Sequence, residues 1–303
     1  MTAALTRRLL REQIEDIWGR GRVELVDTNY AVDIVDHMPI PGQPTGRDAL
    51  KGVVAQFRVE IADLAMNLHH VLAAGDHGVD VWTLTGRGPG GTPVRFSGID
   101  MVRVAGGRIS EMWHVEELAH YAMQIGASSG DFGAPTHEGA FAAPTLAAEY
   151  DPGASAIVPG EELFGRREHR NLAMARRHIE QVWARGQAEL AHEVFHPDVV
   201  DHNPAPGQRP GIAGIVDVLG WLREAVPDLR MQIQCYVIDG DWIADRWIMT
   251  GTHTGAPLMG VPARGRGFRI NGMDVARLDD AGLITDIWHC EEFAQLVQQV
   301  SHG

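Results

Sequence analysis

An α+β fold, present twice, is the architecture this chain predicts, and three observations predict it. The chain has 303 residues, beyond the ~250–300 at which a single hydrophobic core stops growing. It repeats itself at an offset of 165 positions. Within each repeat, helical periodicity comes first and strand periodicity follows, the order expected of helices packed against a mostly antiparallel sheet that curves around them. A composition of 45% hydrophobic and 22% charged residues is that of a globular protein and excludes a disordered, fibrous or membrane-bundle chain.

The repeat is traced residue by residue. Glu15, Trp18, Arg20, Gly21, Glu24 and Leu25 recur as Glu180, Trp183, Arg185, Gly186, Glu189 and Leu190. Asp36-His37-x-Pro39-x-Pro41-Gly42-Gln43 recurs as Asp201-His202-x-Pro204-x-Pro206-Gly207-Gln208, and Trp82, Thr85 and Gly86 recur as Trp247, Thr250 and Gly251. The second copy then inserts residues within Thr252 to Gly267, after which Trp113-His114-x-Glu116-Glu117 returns as Trp288-His289-x-Glu291-Glu292. A period this long denotes a duplicated domain, since each copy is large enough for its own core. The expected domains are 1–126 and 166–303. Between them, 127–165 is a Gly/Ala/Pro-rich linker with Pro135, Pro144, Pro152 and Pro159 as breakers. Its length is compatible with the copies pairing as a homodimer would, or with a homo-oligomer.

In each copy a first helix is expected, over Arg7 to Gly19 and Glu168 to Arg185, stopped by Gly21 and Gly186. The segment Met1 to Trp18 lacks an uninterrupted apolar run and reads as helix, not as a secretory signal. A second helix follows Gly46 and Gly211, for example Ile212 to Ala225. Strand patterns then cover Met231 to Ile238, Trp242 to Thr250, Phe268 to Leu278 and Leu283 to His289, and a short helix closes each copy, Glu116 to Ile125 and Glu291 to Val300.

Asp and Glu number 40 against 26 Lys and Arg, a net charge of -14. That is the wrong sign for tracking nucleic acid or an anionic membrane surface. The two cysteines, Cys235 and Cys290, form neither a metal motif nor a disulfide framework, so the expected compartment is the cytoplasm.

The hairpin between the last two strands carries the candidate chemistry. With the loop confined to Ala105-Gly106-Gly107 in one copy and Asp279-Asp280-Ala281-Gly282 in the other, Asp100 faces Met112 and Asp274 faces Ile287. His114 and His289 are then diagonal neighbours of the aspartates on the same, mostly apolar face. Arg103 with Glu111, and Arg277 with Asp286, fall on the opposite face. A buried carboxyl raised by desolvation and an imidazole near neutrality divide base and acid duties without a cofactor. The alternative is that each pair hydrogen-bonds only to itself.

The second copy, in Pro197-Asp198-Val199-Val200-Asp201-His202-Asn203-Pro204, Pro227-Asp228-Leu229, Thr250-Gly251-Thr252-His253-Thr254-Gly255, Gly272-Met273-Asp274 and Ile287-Trp288, resembles SnoaL-like polyketide cyclases of the NTF2-like superfamily. The first copy keeps Val35-Asp36-His37, Gly98-Ile99-Asp100 and Trp113-His114 and lacks the Thr-His-Thr-Gly segment. The resemblance implies a cone-shaped α+β barrel, cystatin-like in outline, enclosing an apolar cavity, with no metal or coenzyme and an Asp/His pair driving aldol closure. Asp274 and Asp100 fall at a pocket-lining position of that family.

Asp274, His289, Asp100 and His114 are therefore the expected catalytic residues. His202 and His37 are expected as substrate-orienting donors at a cavity rim or as braces of their own loops. Trp247 and Trp82 are read as substrate platform or core, and His253 as a cap on the second pocket or an exposed loop histidine. His114-x-Glu116 and His289-x-Glu291 are ligating types, but an acidic pair opening a helix suits the helix dipole, and no metal is assigned. The expected function is a cofactor-independent cyclase, isomerase or lyase acting on a small apolar or aromatic carbonyl or hydroxyl compound. The alternatives are a binding protein for an apolar small molecule and a metal-dependent hydrolase or lyase.

Overall fold

The computed structural model describes residues 3–39, 44–127 and 151–301. The chain divides into two compact units, Met1–Thr136 and His137–Gly303. Part of the first copy's Pro-rich turn, Pro41-Gly42-Gln43, and most of the expected linker, with Pro135 and Pro144, lie outside the described residues.

In the first unit, α1 (Ala3–Arg11) runs into a wider, π-helical segment at Glu12–Trp18, and a short α2 (Val26–Asn29) leads into β1 (Tyr30–Asp36). Helix α3 (Arg47–Glu60) precedes β2 (Ala62–Ala74), β3 (His77–Arg87), β4 (Pro93–Ala105) and β5 (Arg108–Glu116), and α4 (Leu118–Ile125) closes the unit. The second unit repeats the order: α5 (Arg166–Arg176) with a π-helical segment at Arg177–Ala184, α6 (Ala191–Val194), β6 (Phe195–Asp201), α7 (Gly211–Ala225), β7 (Arg230–Asp239), β8 (Trp242–His253), β9 (Arg266–Leu278), β10 (Ile284–Glu291) and α8 (Phe293–Ser301).

Each unit holds a five-stranded mixed sheet, ordered β1-β5-β4-β3-β2 and β6-β10-β9-β8-β7. Neither closes into a barrel, which corrects that part of the expectation. The last four strands are antiparallel neighbours as the patterning implies, but β1 and β6 add a parallel edge on β5 and β10. This strand is absent from the sequence-based assignment because it carries only a brief apolar alternation before a Pro-rich turn.

In the second unit the core side of the helices is set by spacing: Leu172, Ala175, Ile179 and Val182 of α5 and its π-helical continuation are buried at steps of three and four residues, as are Ile212, Ile215, Leu219 and Leu222 of α7. Within the expected linker, residues 152–157 make backbone hydrogen bonds to β7 of the second sheet. The Pro152 carbonyl accepts from Ile233 N–H at 2.8 Å, and Ile157 bridges to Cys235.

The pairing of the two last hairpins differs from the expected register by two residues in each copy. Asp100 lies directly opposite His114 and Asp274 directly opposite His289. In the first copy the loop is tighter than expected, with Ala105 paired to Arg108 around Gly106 and Gly107, both at positive φ. In the second it is one residue longer at its far side, Leu278 pairing with Ile284. Each change alone flips the face of the following strand. A bulge at Ser110 and at Thr285 restores it; the Ser110 hydroxyl donates to the Arg103 carbonyl at 3.1 Å, and the Thr285 hydroxyl is shared between Asp286 Oδ2 at 2.9 Å and the Arg277 carbonyl at 3.3 Å.

Candidate active site

A row of ionisable side chains crosses each sheet on its inner face. In the second unit Tyr236, Asp245, Asp274 and His289 are successive cross-strand partners on β7, β8, β9 and β10. In the first, Asp80, Asp100 and His114 line up likewise, and Val71 stands where Tyr236 is.

The aspartate at the centre is placed by a tryptophan and a glycine. A Cβ on Gly272 would come within 2.2 Å of the Trp247 ring, and one on Gly98 within 2.2 Å of Trp82. The bare backbone lets each indole lie across the neighbouring strand and reach the carboxyl two residues on. Trp82 Nε1 donates to Asp100 Oδ1 at 3.1 Å and Trp247 Nε1 to Asp274 Oδ2 at 3.4 Å. This is the physical content of the Gly-x-Asp repeat. The two tryptophans, 6% and 2% exposed, thus belong to the core and also hold the acid.

The histidines do not bond to the aspartates they face. His289 Nδ1 pairs with Glu291 at 2.9 Å and Nε2 with Asp201 at 3.1 Å. His114 is held the same way by Glu116 at 2.6 Å and Asp36 at 3.2 Å. Burial by itself would lower these imidazoles, but the carboxylate on each side outweighs it and holds them well above the ordinary value. Each is a fixed imidazolium. Burial pushes the Asp201 carboxyl up, and the His289 bond with the Asn203 and Gln208 donors overrides it and takes it below its usual value. Of each acidic pair, Glu116 and Glu291 end strands, which removes the helix-dipole explanation for them, while Glu117 is the N-cap of α4 and Glu292 directly precedes α8. Asp36 and Asp201 are the residues sequence reasoning passed over, although both lie inside the duplicated motifs, and Glu116 and Glu291 are weighed there only as metal ligands.

Desolvation raises Asp100 and Asp274 to about 7, with His114 and His289 respectively pulling back toward the charged form. Opposite them, Asp80 and Asp245 are 0% and 1% exposed. Burial and the facing carboxyl push both well above the carboxylate range, because two buried acids in a cross-strand pair do not both ionise.

The first helix supplies the remaining neighbour, and here the copies differ. Gln13 Nε2 donates to Asp100 Oδ2 at 2.6 Å, and its Oε1 accepts from Tyr30 OH at 2.6 Å. The corresponding pair in the second unit is His178 and Phe195, whose rings meet edge to face at 5.4 Å. His178 is fully buried, which drives it down to about 3, so it is neutral. Its Nε2 accepts from Trp183 Nε1 at 3.1 Å, while Nδ1 has no partner.

Ligating atoms of His178, Asp245 and Asp274 lie within 4.8 Å of one another, a set of metal-binding types. An indole N–H only donates, so His178 Nε2 carries the lone pair and the neutral ring bears its proton on Nδ1. With Nε2 engaged by the indole and Nδ1 protonated, the ring has no lone pair free, and the set does not fit a cation in this arrangement.

The other expected site residues do not join the row. His37 and His202 lie on the opposite face of the sheet, stacked at 4.4 and 4.0 Å on Trp113 and Trp288 and paired with Glu111 and Asp286 at 2.9 and 3.0 Å. They brace the outer-face groups, Arg103 beside Glu111 included, and the substrate-orienting expectation for them is corrected. His253 is neither an exposed loop residue nor near Asp274. It is fully buried at the end of β8, its Nε2 bonded to the Ala256 carbonyl at 2.9 Å. Eight residues of strand, roughly 27 Å at the usual rise, separate it from Asp245.

Comparison with known proteins adds the family. The model described as SnoaL-like polyketide cyclase matches residues 173–300, and that described as SnoaL-like domain matches 10–112. No curated protein matches the chain. Among solved structures, IdmH from Streptomyces antibioticus is 27% identical with a TM-score of 0.38, covering 43% of this chain and 98% of its own. TsrD from Streptomyces laurentii is 23% identical, TM-score 0.40, covering 45% and 97%. A Catenulispora acidiphila protein with a ketosteroid isomerase-like fold is 24% identical, TM-score 0.35, covering 39% and 92%. Two family matches at separate regions, on two units that share element order, sheet topology and the acidic row, make this chain a member of the SnoaL-like family that carries the domain twice in tandem.

Proposed function

We propose that the second domain is a cofactor-independent acid–base enzyme of the cyclase or isomerase type, acting on a small apolar or aromatic carbonyl or hydroxyl compound. One observation carries the reading: Asp274 is a nearly buried carboxyl raised to about 7 and faced across the strand pair by an imidazolium fixed on both nitrogens. Such an acid takes a proton alpha to a carbonyl at neutral pH. The enolate charge that results develops beside His289, whose two carboxylate bonds make it a stationary positive charge and not a proton donor. Intramolecular attack of the enolate carbon on a second carbonyl, with the proton held by Asp274 passing to the alkoxide so formed, is the cyclase outcome, and return of the proton to another carbon is the isomerase outcome.

In the first domain both Asp100 oxygens already accept hydrogen bonds, from Trp82 and Gln13. That supports a binding or scaffold role there.

The test is hydrogen exchange. The protein is incubated in deuterium oxide with a panel of small aromatic ketones and diketones, and deuterium alpha to the carbonyl is followed by NMR. Exchange is expected to rise as pH passes about 7, when Asp274 gives up its proton, and to fall by 10²–10⁴-fold, a typical general-base contribution, in Asp274→Asn. Ligand binding without exchange in any member of the panel makes the domain a binding module.

A further inference from the structure

The second unit contains a buried donor that the proton-transfer scheme does not use. A ring nitrogen of His178 lies within 4.8 Å of carboxyl oxygens of Asp245 and Asp274, and neither His178 Nδ1 nor Asp245 Oδ1 has a partner, although both side chains are almost completely buried. A buried polar atom left without a partner costs about 1–3 kcal/mol, so its retention calls for a state in which it is used. Helix α5 places His178 there on its π-helical segment, whose wider turn is characteristic of functional positions.

We propose that Asp245 and His178 are positioning residues for Asp274. Asp245 keeps its proton and donates it to Asp274, while His178, locked as the Nδ1–H tautomer by Trp183, is the donor that closes on the carboxyl pair when Asp274 ionises. The proposal rests on Asp274 being the base and names what sets its proton affinity. When Asp274 releases its proton, negative charge appears within 4.8 Å of a nitrogen of the His178 ring, and a rotation of that ring converts an idle donor into a charge-assisted hydrogen bond. The other ionisable groups facing the pair are Tyr236 on β7, which donates to Glu180 of the first helix at 2.7 Å, His289 and Glu291 on β10, and Asp201 on β6. Of these, only His289 bears positive charge, and its nitrogens are already engaged. The first unit shows the closed form of the same contact, where Gln13 donates to Asp100 at 2.6 Å.

The experiment is spectroscopic and uses the substrate-free full chain. Infrared spectra at pH 8 are expected to show the C=O band of buried protonated carboxyls. Asp80 of the first unit contributes to the same region, so the comparison is made in an Asp80→Asn background. There Asp245→Asn should abolish the remaining band, and Asp274→Asn should shift it without removing it. NMR of the histidine ring nitrogens should show His178 protonated on Nδ1 alone. His178→Gln, which installs the first unit's donor, should move the Asp274 titration to lower pH, and His178→Leu should move it to higher pH.

A band that survives Asp245→Asn in that background, a His178 ring protonated on Nε2, or a stoichiometric metal ion lost on His178→Ala would each overturn the proposal. If His178→Leu does not fold, the ring-nitrogen spectrum of the unsubstituted protein still decides. None of these readouts needs turnover, so their failure is distinguishable from failure of the exchange assay that tests Asp274 as the base.

Discussion

Gln13 and His178 occupy the same position on the same wide helical turn, below the same acid, and between them they divide the two domains. In the first domain a chain of hydrogen bonds runs from Tyr30 through Gln13 to Asp100, and with Trp82 it occupies both carboxyl oxygens. In the second, phenylalanine replaces the tyrosine and histidine the glutamine, the chain is cut, and Asp274 keeps only the long bond from Trp247 among indole donors. The surrounding frame is unchanged: facing acid, clamped imidazolium, and glycine beneath the indole. Duplication has therefore preserved the part that raises a carboxyl and varied the part that satisfies it.

The largest expected effect separates the domains by activity. Asparagine in place of Asp100 should leave alpha-proton exchange within about twofold of the unsubstituted protein, against the 10²–10⁴-fold loss at Asp274 typical of a missing general base. Equal losses at the two positions break the comparison. Next in size is the glycine beneath each indole. Gly98→Ala and Gly272→Ala force a methyl to within 2.2 Å of a tryptophan ring, an overpacking that costs about 1–3 kcal/mol. Thermal denaturation should show similar losses in both, and a loss in only one means that the frame is less alike than its geometry.

The smallest effect is in the pH dependence of stability. Asp100 and Asp274 have folded values near 7, above the unfolded 3.8, so the folded state holds a proton that the unfolded state has lost. Each therefore lowers stability as pH rises from about 4 to 7, by about 1 kcal/mol per pH unit. His178 is displaced the other way, to about 3 from 6.5, so the unfolded state binds the extra proton and stability rises with pH between about 3 and 6.5. Asp80 and Asp245, raised in the same direction, add a descending contribution in each domain, and in the second domain His178 offsets part of the total. His178→Gln should therefore make the second domain lose stability more steeply as pH rises. Chemical denaturation at several pH values between 4 and 6.5 measures it, and an unchanged slope in that variant refutes the offset.

Much of this architecture was legible in the residues themselves. The offset of 165 gave two domains, the helix-then-strand order gave the class, and the hairpins put an aspartate and a histidine on one face in each copy. The register came out two residues away because turn length and bulge are set by hydroxyl-to-carbonyl bonds at Ser110 and Thr285, and such bonds leave no period in a sequence. The histidines' true partners escaped for another reason. Asp36 and Asp201 arrive on a parallel edge strand from the far end of each copy, a contact no local pattern encodes. His178 escaped because the repeat is traced by positions where the copies agree, and it is one where they differ. It stands against Gln13, just ahead of Glu15 and Trp18, which recur unchanged as Glu180 and Trp183.

The paired bulges have a bearing on how these hairpins tolerate change. Below the pairs Val104 with Ile109 and Leu278 with Ile284 the two copies have loops of different length, and above them the partners correspond one for one. Length variation is absorbed at the tip and does not propagate along the ribbon. The tip is accordingly the place where added sequence, such as an epitope or a reporter peptide, can be accommodated while the chemistry at the other end keeps its alignment.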